Sequence, residues 1–132
     1  MRPPSRSPHY NRMIQGPDPN AFQKLKNLVV TLQQRYFYYM KVGITNNPEI
    51  RWKQHKLQDP RWEDFVVAYK TNDRNEVKSL EKKITKIYNI ENIRMGGGGP
   101  NSTGTQYLYF LATKSYNLGF KRTSRYRYGY YK

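Results

Sequence analysis

Lys41-Val-Gly-Ile-Thr-Asn-Asn-Pro-Glu-Ile-Arg-Trp-Lys-Gln-His55 changes character halfway along. Up to Thr45 it is rich in β-branched residues, the composition of a strand. From Asn47 the signals are those of a helix start: Asn as N-cap, Pro at the first helical position, Glu in the first turn. The spacing predicts a strand over 36–45 and a helix running to about residue 57, ahead of Pro60. A strand feeding a capped helix through a two-residue joint sets the frame for the chain on either side.

Upstream, Leu28-Val-Val-Thr-Leu32 reads as another strand, with Gln33-Gln34-Arg35 as a tight connection. So short a connection predicts antiparallel pairing of the two. Downstream, Phe65–Lys70 reads as a third strand. Asp73-Arg-Asn-Glu76 resembles a capping box, with Glu76 as the reciprocal acid, opening a helix that carries Val77, Leu80, Ile84, Ile87 and Tyr88 on one stripe. Gly96–Gly99 with Pro100 reads as a turn, and Gln106–Leu111 as a late strand. Trp52 and Trp62 are expected at the rim of the core. The order predicts an α+β fold over residues 20–112: a small three- to four-stranded, mainly antiparallel sheet flanked by helices.

Outside that unit the composition shifts. The chain has 24 Lys plus Arg against 9 Asp plus Glu, a net charge of +15. Residues 1–17 and 114–132 contain no acid and carry nine cations between them. They lie in a Pro-rich basic arm over 1–19 and a Tyr/Arg-rich basic tail over 113–132. Such an excess predicts a polyanionic partner, nucleic acid first, and DNA ahead of RNA. In the tail, Lys121, Arg122, Arg125 and Arg127 can neutralise phosphates while Tyr126 and Tyr128 stack on bases. Lys53 adds a cation on the central helix. The alternatives are a solvated tail, or arms that dock on neighbouring proteins of a large assembly. The absence of Cys excludes a disulfide scaffold, a thiolate metal site and a Cys nucleophile. No apolar run reaches the roughly 20 residues of a membrane span, and Met1–Pro8 has no apolar stretch to make a secretory signal. The expectation is a non-secreted, non-membrane protein, intracellular (cytoplasm or nucleus) or within a virion.

Candidate chemistry gathers on the central elements. Strand alternation puts Tyr39 and Lys41 on one face. Arg51 and His55, four apart, are neighbours on one helix face. Glu81 lies beside the apolar stripe of the next helix. The 41–55 stretch resembles the second half of the GIY-YIG nuclease signature, in the Lys-Ile-Gly-Ile-Thr variant of phage and giant-virus members. Leu80–Tyr88 resembles the family's Glu-bearing helix, and Asn92-Ile-Arg-Met-Gly-Gly its later Asn-x-x-x-Gly-Gly element. The likeness spans roughly residues 27–111.

The resemblance implies a GIY-YIG-like fold with Arg51 as phosphate clamp and Glu81 as ligand of one Mg²⁺ or Mn²⁺ ion. It implies His55 as a proton carrier and Asn92 as a supporting polar group. Lys41 stands where the second motif has Tyr, and a Lys of lowered pKa could act as base. No Gly-Ile-Tyr is present, and Tyr39 is the nearest phenol to compensate. Two functions follow: a divalent-metal-dependent endonuclease hydrolysing phosphodiester bonds, or a catalytically inactive GIY-YIG-derived structural component of a virion or ribonucleoprotein assembly, anchored by its basic arms.

Overall fold

The computed structural model describes residues 6–35, 39–88, 91–92 and 104–114. In chain order the elements are β1 (Ile14–Gln15), α1 (Ala21–Arg35), β2 (Tyr39–Thr45), α2 (Pro48–Gln58), β3 (Asp64–Thr71), α3 (Arg74–Tyr88), β4 (Glu91–Asn92) and β5 (Gln106–Thr113). The sheet order is β1-β3-β5-β2-β4. Its three long strands are antiparallel, with β5 between β2 and β3. The two-residue strands β1 and β4 run parallel to their neighbours at the edges. The α+β class and the small sheet flanked by helices are as the sequence predicts.

One element differs in kind. Leu28–Leu32, expected as a strand, lies inside α1. Ala21, Leu25, Leu28, Val29 and Leu32 fall at i, i+4, i+7, i+8 and i+11, and all five are buried. That is a helical stripe, and the local run of apolar residues is the part of it that mimics a strand. The partner of β2 is therefore the late strand β5, with Lys41 opposite Leu111 and Gly43 opposite Tyr109.

The caps agree with the sequence more closely. Asn47 Oδ1 accepts from the Ile50 N–H at 3.2 Å, a contact of about 1 kcal/mol. Asp73 Oδ1 accepts from the N–H groups of Asn75 and Glu76 at 3.0 and 3.1 Å. Glu76 does not return the capping-box bond, because its Oε2 accepts from the Tyr69 hydroxyl at 2.7 Å.

Alternation divides the core between the two faces of the sheet. Met40, Val42, Ile44, Val66, Leu108, Phe110 and Ala112 pack under α1 and α3. Phe65, Val67, Tyr109 and Leu111 pack with Trp52 of α2 and with Trp62. Trp52 is 1% and Trp62 4% exposed, so both are core residues rather than rim residues. Residues 9–16 run along the outer edge of β3. His9 exchanges backbone hydrogen bonds with Phe65 and Val67, and the Gly16 N–H donates to the Lys70 carbonyl. Pro8 and Pro17 flank this contact, as an edge permits. The expected glycine turn 96–99 lies outside the described residues.

Candidate functional site

The α2 face of the sheet carries more than packing. Leaving β2, the chain turns at Asn46–Asn47 into α2 and so places Arg51 and His55 one helical turn apart, pointing at the sheet. Both are buried, at 5% and 3% exposure. A buried guanidinium and a buried imidazole need polar partners, and the sheet supplies one. His55 Nε2 is 2.8 Å from the hydroxyl of Tyr109, on the central strand β5. The Arg51 guanidinium also hydrogen-bonds that hydroxyl.

The protons can be assigned from valence. Arginine only donates, so the Tyr109 oxygen accepts from Arg51 and spends its own hydrogen on His55 Nε2. His55 is then the Nδ1–H tautomer, an assignment from the network rather than a position seen. Burial pushes the imidazole down to about 4, helped by the charges of Arg51 and Lys41. Neutral histidine is what the network requires. Burial raises the Tyr109 phenol well above its ordinary value; Arg51 opposes this and the Glu81 carboxylate adds to it.

Two packing features fix the phenol. Its ring stacks on Phe65, with centroids 4.1 Å apart and planes 12° from parallel. Across the β2–β5 register is Gly43, where an added Cβ would lie 2.6 Å from the Tyr109 hydroxyl oxygen. The glycine of Lys41-Val-Gly-Ile-Thr is thus the vacancy that the phenol occupies.

Glu81 comes from α3, on the other layer. It is partly buried, and burial pushes its carboxyl up to about 7 with Lys78 partly opposing. It makes no hydrogen bond or ion pair among the described residues. The Tyr109 phenol feels both its charge and that of Arg51. Lys41 is half-buried, with Nζ 6.0 Å from the centre of the Trp62 ring. Lys53 is exposed on α2.

Of the residues singled out in the sequence, the fold thus brings Lys41, Arg51, His55 and Glu81 into one electrostatic neighbourhood. Tyr39 is registered with Thr113, and Asn92, on β4, with Val42. Lys121, Arg122, Arg125, Tyr126, Arg127 and Tyr128 lie outside the described residues. Tyr109 itself is absent from the sequence expectations. Alternation along 106–111 shows that Tyr107 and Tyr109 share a face, but not that this face meets α2.

A lone carboxylate without an internal donor suits a hard divalent cation that keeps most of its waters and takes its remaining oxygens from phosphate. No group of three or more His, Cys, Asp or Glu able to hold a metal occurs among the described residues. Any such ion would depend on Glu81 and on the substrate together.

A profile of the T5orf172 domain matches residues 28–117, more than half of the chain, and the chain belongs to that family. No curated protein and no solved structure matches it. The membership corrects the GIY-YIG resemblance: T5orf172 is a different family, though some of its domains are described as GIY-YIG-like. T5orf172 domains are associated with nuclease-like, nucleic-acid-binding functions. Among the described residues no helix is long and apolar enough to cross a membrane.

Proposed function

We propose that this T5orf172-family protein binds nucleic acid, DNA ahead of RNA, and hydrolyses its phosphodiester bonds at the Arg51–His55–Tyr109–Glu81 cluster. One observation carries the reading: the buried Tyr109 hydroxyl is 2.8 Å from His55 Nε2 on the face that also holds the buried Arg51.

In this reading Arg51 engages the scissile phosphate, since its planar fork matches phosphate oxygens and favours the charge that builds in the transition state. In the same reading the attacking water gives its proton to the Tyr109 hydroxyl oxygen as its own oxygen bonds to phosphorus. The phenol oxygen takes that proton while passing its own hydrogen to His55 Nε2, which is free to accept it. The P–O bond to the leaving oxygen breaks, and solvent protonates the leaving group. Burial first, then Arg51 and Lys41, disfavours a charged His55 in the free protein, and a phosphate dianion-like transition state offsets the part that comes from the two cations. Glu81 would hold the Mg²⁺ or Mn²⁺ ion, whose chemistry is Lewis-acid stabilisation of phosphate oxygens. Lys41 and Lys53 add cationic grip on the substrate.

A second reading, a non-catalytic nucleic-acid-binding part of a virion or ribonucleoprotein assembly, is favoured by the burial of Arg51 and His55 to 5% and 3% exposure. Supercoiled plasmid incubated with the protein and Mg²⁺ or Mn²⁺ separates the two. The nuclease reading expects nicking that Arg51→Ala and Glu81→Gln abolish. Tight plasmid binding without nicking by the unaltered protein would refute it and leave the second.

A further inference from the structure

We infer that the outward face of α1 and α3, built around Lys26, Lys82 and Lys83, is a second surface for the nucleic-acid backbone. It lies on the opposite side of the sheet from Arg51. The inference rests on the nucleic-acid-binding reading above and adds a location that the cluster on the α2 face does not provide.

The case starts from what the two helices lack. α1 contains no acidic residue over its 15 positions. α3 contains two: Glu76, which accepts from Tyr69 at 2.7 Å, and Glu81, which is partly buried rather than exposed. The remaining charges of α3 are Arg74, Lys78, Lys82, Lys83 and Lys86, all exposed. On α1, Lys24 is neutralised by Asp18 at 2.6 Å, but Lys26 has no carboxylate partner among the described residues.

The helices also drive two cations together. Lys26 of α1 and Lys83 of α3 lie over the same Phe22 ring, with Nζ 4.8 and 5.5 Å from its centre. One aromatic face can favour each ammonium by roughly 0.5–1 kcal/mol at an exposed site, yet the two repel each other across it. Neither makes an ion pair among the described residues. Lys82 is adjacent to Lys83 on the exposed side. Such convergence without a counter-ion is relieved by an external anion, and a line of phosphates fits cations spread along two adjacent helices. By contrast, α2 carries Glu49 in its first turn, hydrogen-bonded to Tyr10 at 2.8 Å. The α1–α3 face is the more uniformly cationic of the two.

The test is the salt dependence of binding by the full chain to a short fluorescein-labelled DNA duplex, read by anisotropy. Each phosphate contact contributes a slope of about 0.9 in log affinity against log salt. Lys26→Gln with Lys83→Gln should flatten the slope by about two and weaken binding roughly 60-fold near 0.1 M salt. Adding Lys82→Gln should remove about one more unit of slope. Thermal melts of each variant check that these surface substitutions leave the fold intact. If the unaltered protein binds and the double variant keeps its slope, the surface is refuted while nucleic-acid binding stands. If the unaltered protein does not bind, both fail together. If polyglutamate of matched charge competes as well as the duplex does, the face takes an acidic protein and the nucleic-acid assignment is overturned.

Discussion

Glu81 and His55 respond to pH in opposite directions over almost the same window, so replacing one should expose the other. Burial pushes the Glu81 carboxyl up to about 7 from 4.5. Between those values the folded chain holds a proton that the unfolded chain has released, and stability falls as pH rises. Burial first, then Arg51 and Lys41, pushes His55 down to about 4 from 6.5. There the unfolded chain holds the extra proton. That part of the stability is present above 6.5 and is lost as pH falls toward 4. At 1.36 kcal/mol per pKa unit, each gap corresponds to about 3 kcal/mol. Solvent around the partly exposed Glu81 reduces its share to about 1–2 kcal/mol. In the unaltered protein the Glu81 slope offsets part of the His55 slope, leaving a shallower rise with pH. Glu81→Gln removes the falling one, so the variant should exceed the parent by about 1–2 kcal/mol near pH 8, match it near pH 4.5, and climb more steeply between. Urea unfolding at those pH values, followed by far-UV circular dichroism with m-values compared, measures this directly. A Glu81→Gln protein less stable than its parent near pH 8 would show that the fold favours the ionised carboxylate, and the reasoning from burial would be wrong.

Tyr109→Phe keeps the stack on Phe65 but leaves His55 Nε2 and the Arg51 donor without their shared partner. It should cost about 1–3 kcal/mol in urea unfolding and, in the nuclease reading, about 10²-fold or more in plasmid nicking. Gly43→Ala places a methyl group 2.6 Å from the Tyr109 hydroxyl oxygen and 2.7 Å from its ring carbon. Neither atom belongs to a mobile side chain, so a cost of about 1–3 kcal/mol is expected, and unchanged stability would refute the close approach. Asn47→Ala removes the α2 N-cap, which should lower stability by about 1 kcal/mol and leave the pH dependence just described unchanged. Removing residues 115–132 should flatten the salt slope of duplex binding by about 0.9 for every phosphate the tail neutralises; an unchanged slope would assign the tail to another partner.

The legibility of the fold followed the range of its signals. Asn47 and Pro48 announce α2 within a few residues, and Asp73 announces α3, because capping is a local hydrogen-bond problem. Leu28–Leu32 misled for the converse reason. Its helical character is visible only when Ala21 and Leu25 are counted with it, and Val29–Val30 supply local β-propensity that tertiary packing overrides. Glu76 reads either way from the sequence, because a capping box and a carboxylate for a distant phenol spell the same tetrapeptide. Only the approach of Tyr69 decides between them. The edge contact along β3 was hidden too: the prolines near residues 8–19 forbid a central strand, but they do not forbid an edge.

The same distinction explains the site. Arg51 and His55 are four residues apart, so helical geometry alone makes them neighbours. What they converge on is 54 residues further along the chain from His55, and no local pattern reports it. The resemblance implies a tyrosine at position 41, where Lys stands, with Tyr39 as the nearest phenol to compensate. In the nuclease reading the phenol comes from β5 instead. β5 sits between β2 and β3, so a phenol on its middle residue reaches the centre of the α2 face, opposite the one residue of β2 that lacks a side chain. Lys41 and Tyr109 are therefore compatible: the lysine charges the neighbourhood while the phenol comes from the adjacent strand. A Tyr109→Phe, Lys41→Tyr double variant tests this division of labour. If the phenol must come from β5, its nicking and its His55-dependent acid sensitivity stay at the Tyr109→Phe level. Recovery of either would show that β2 can supply the hydroxyl equally well, and that the position of Tyr109 is incidental.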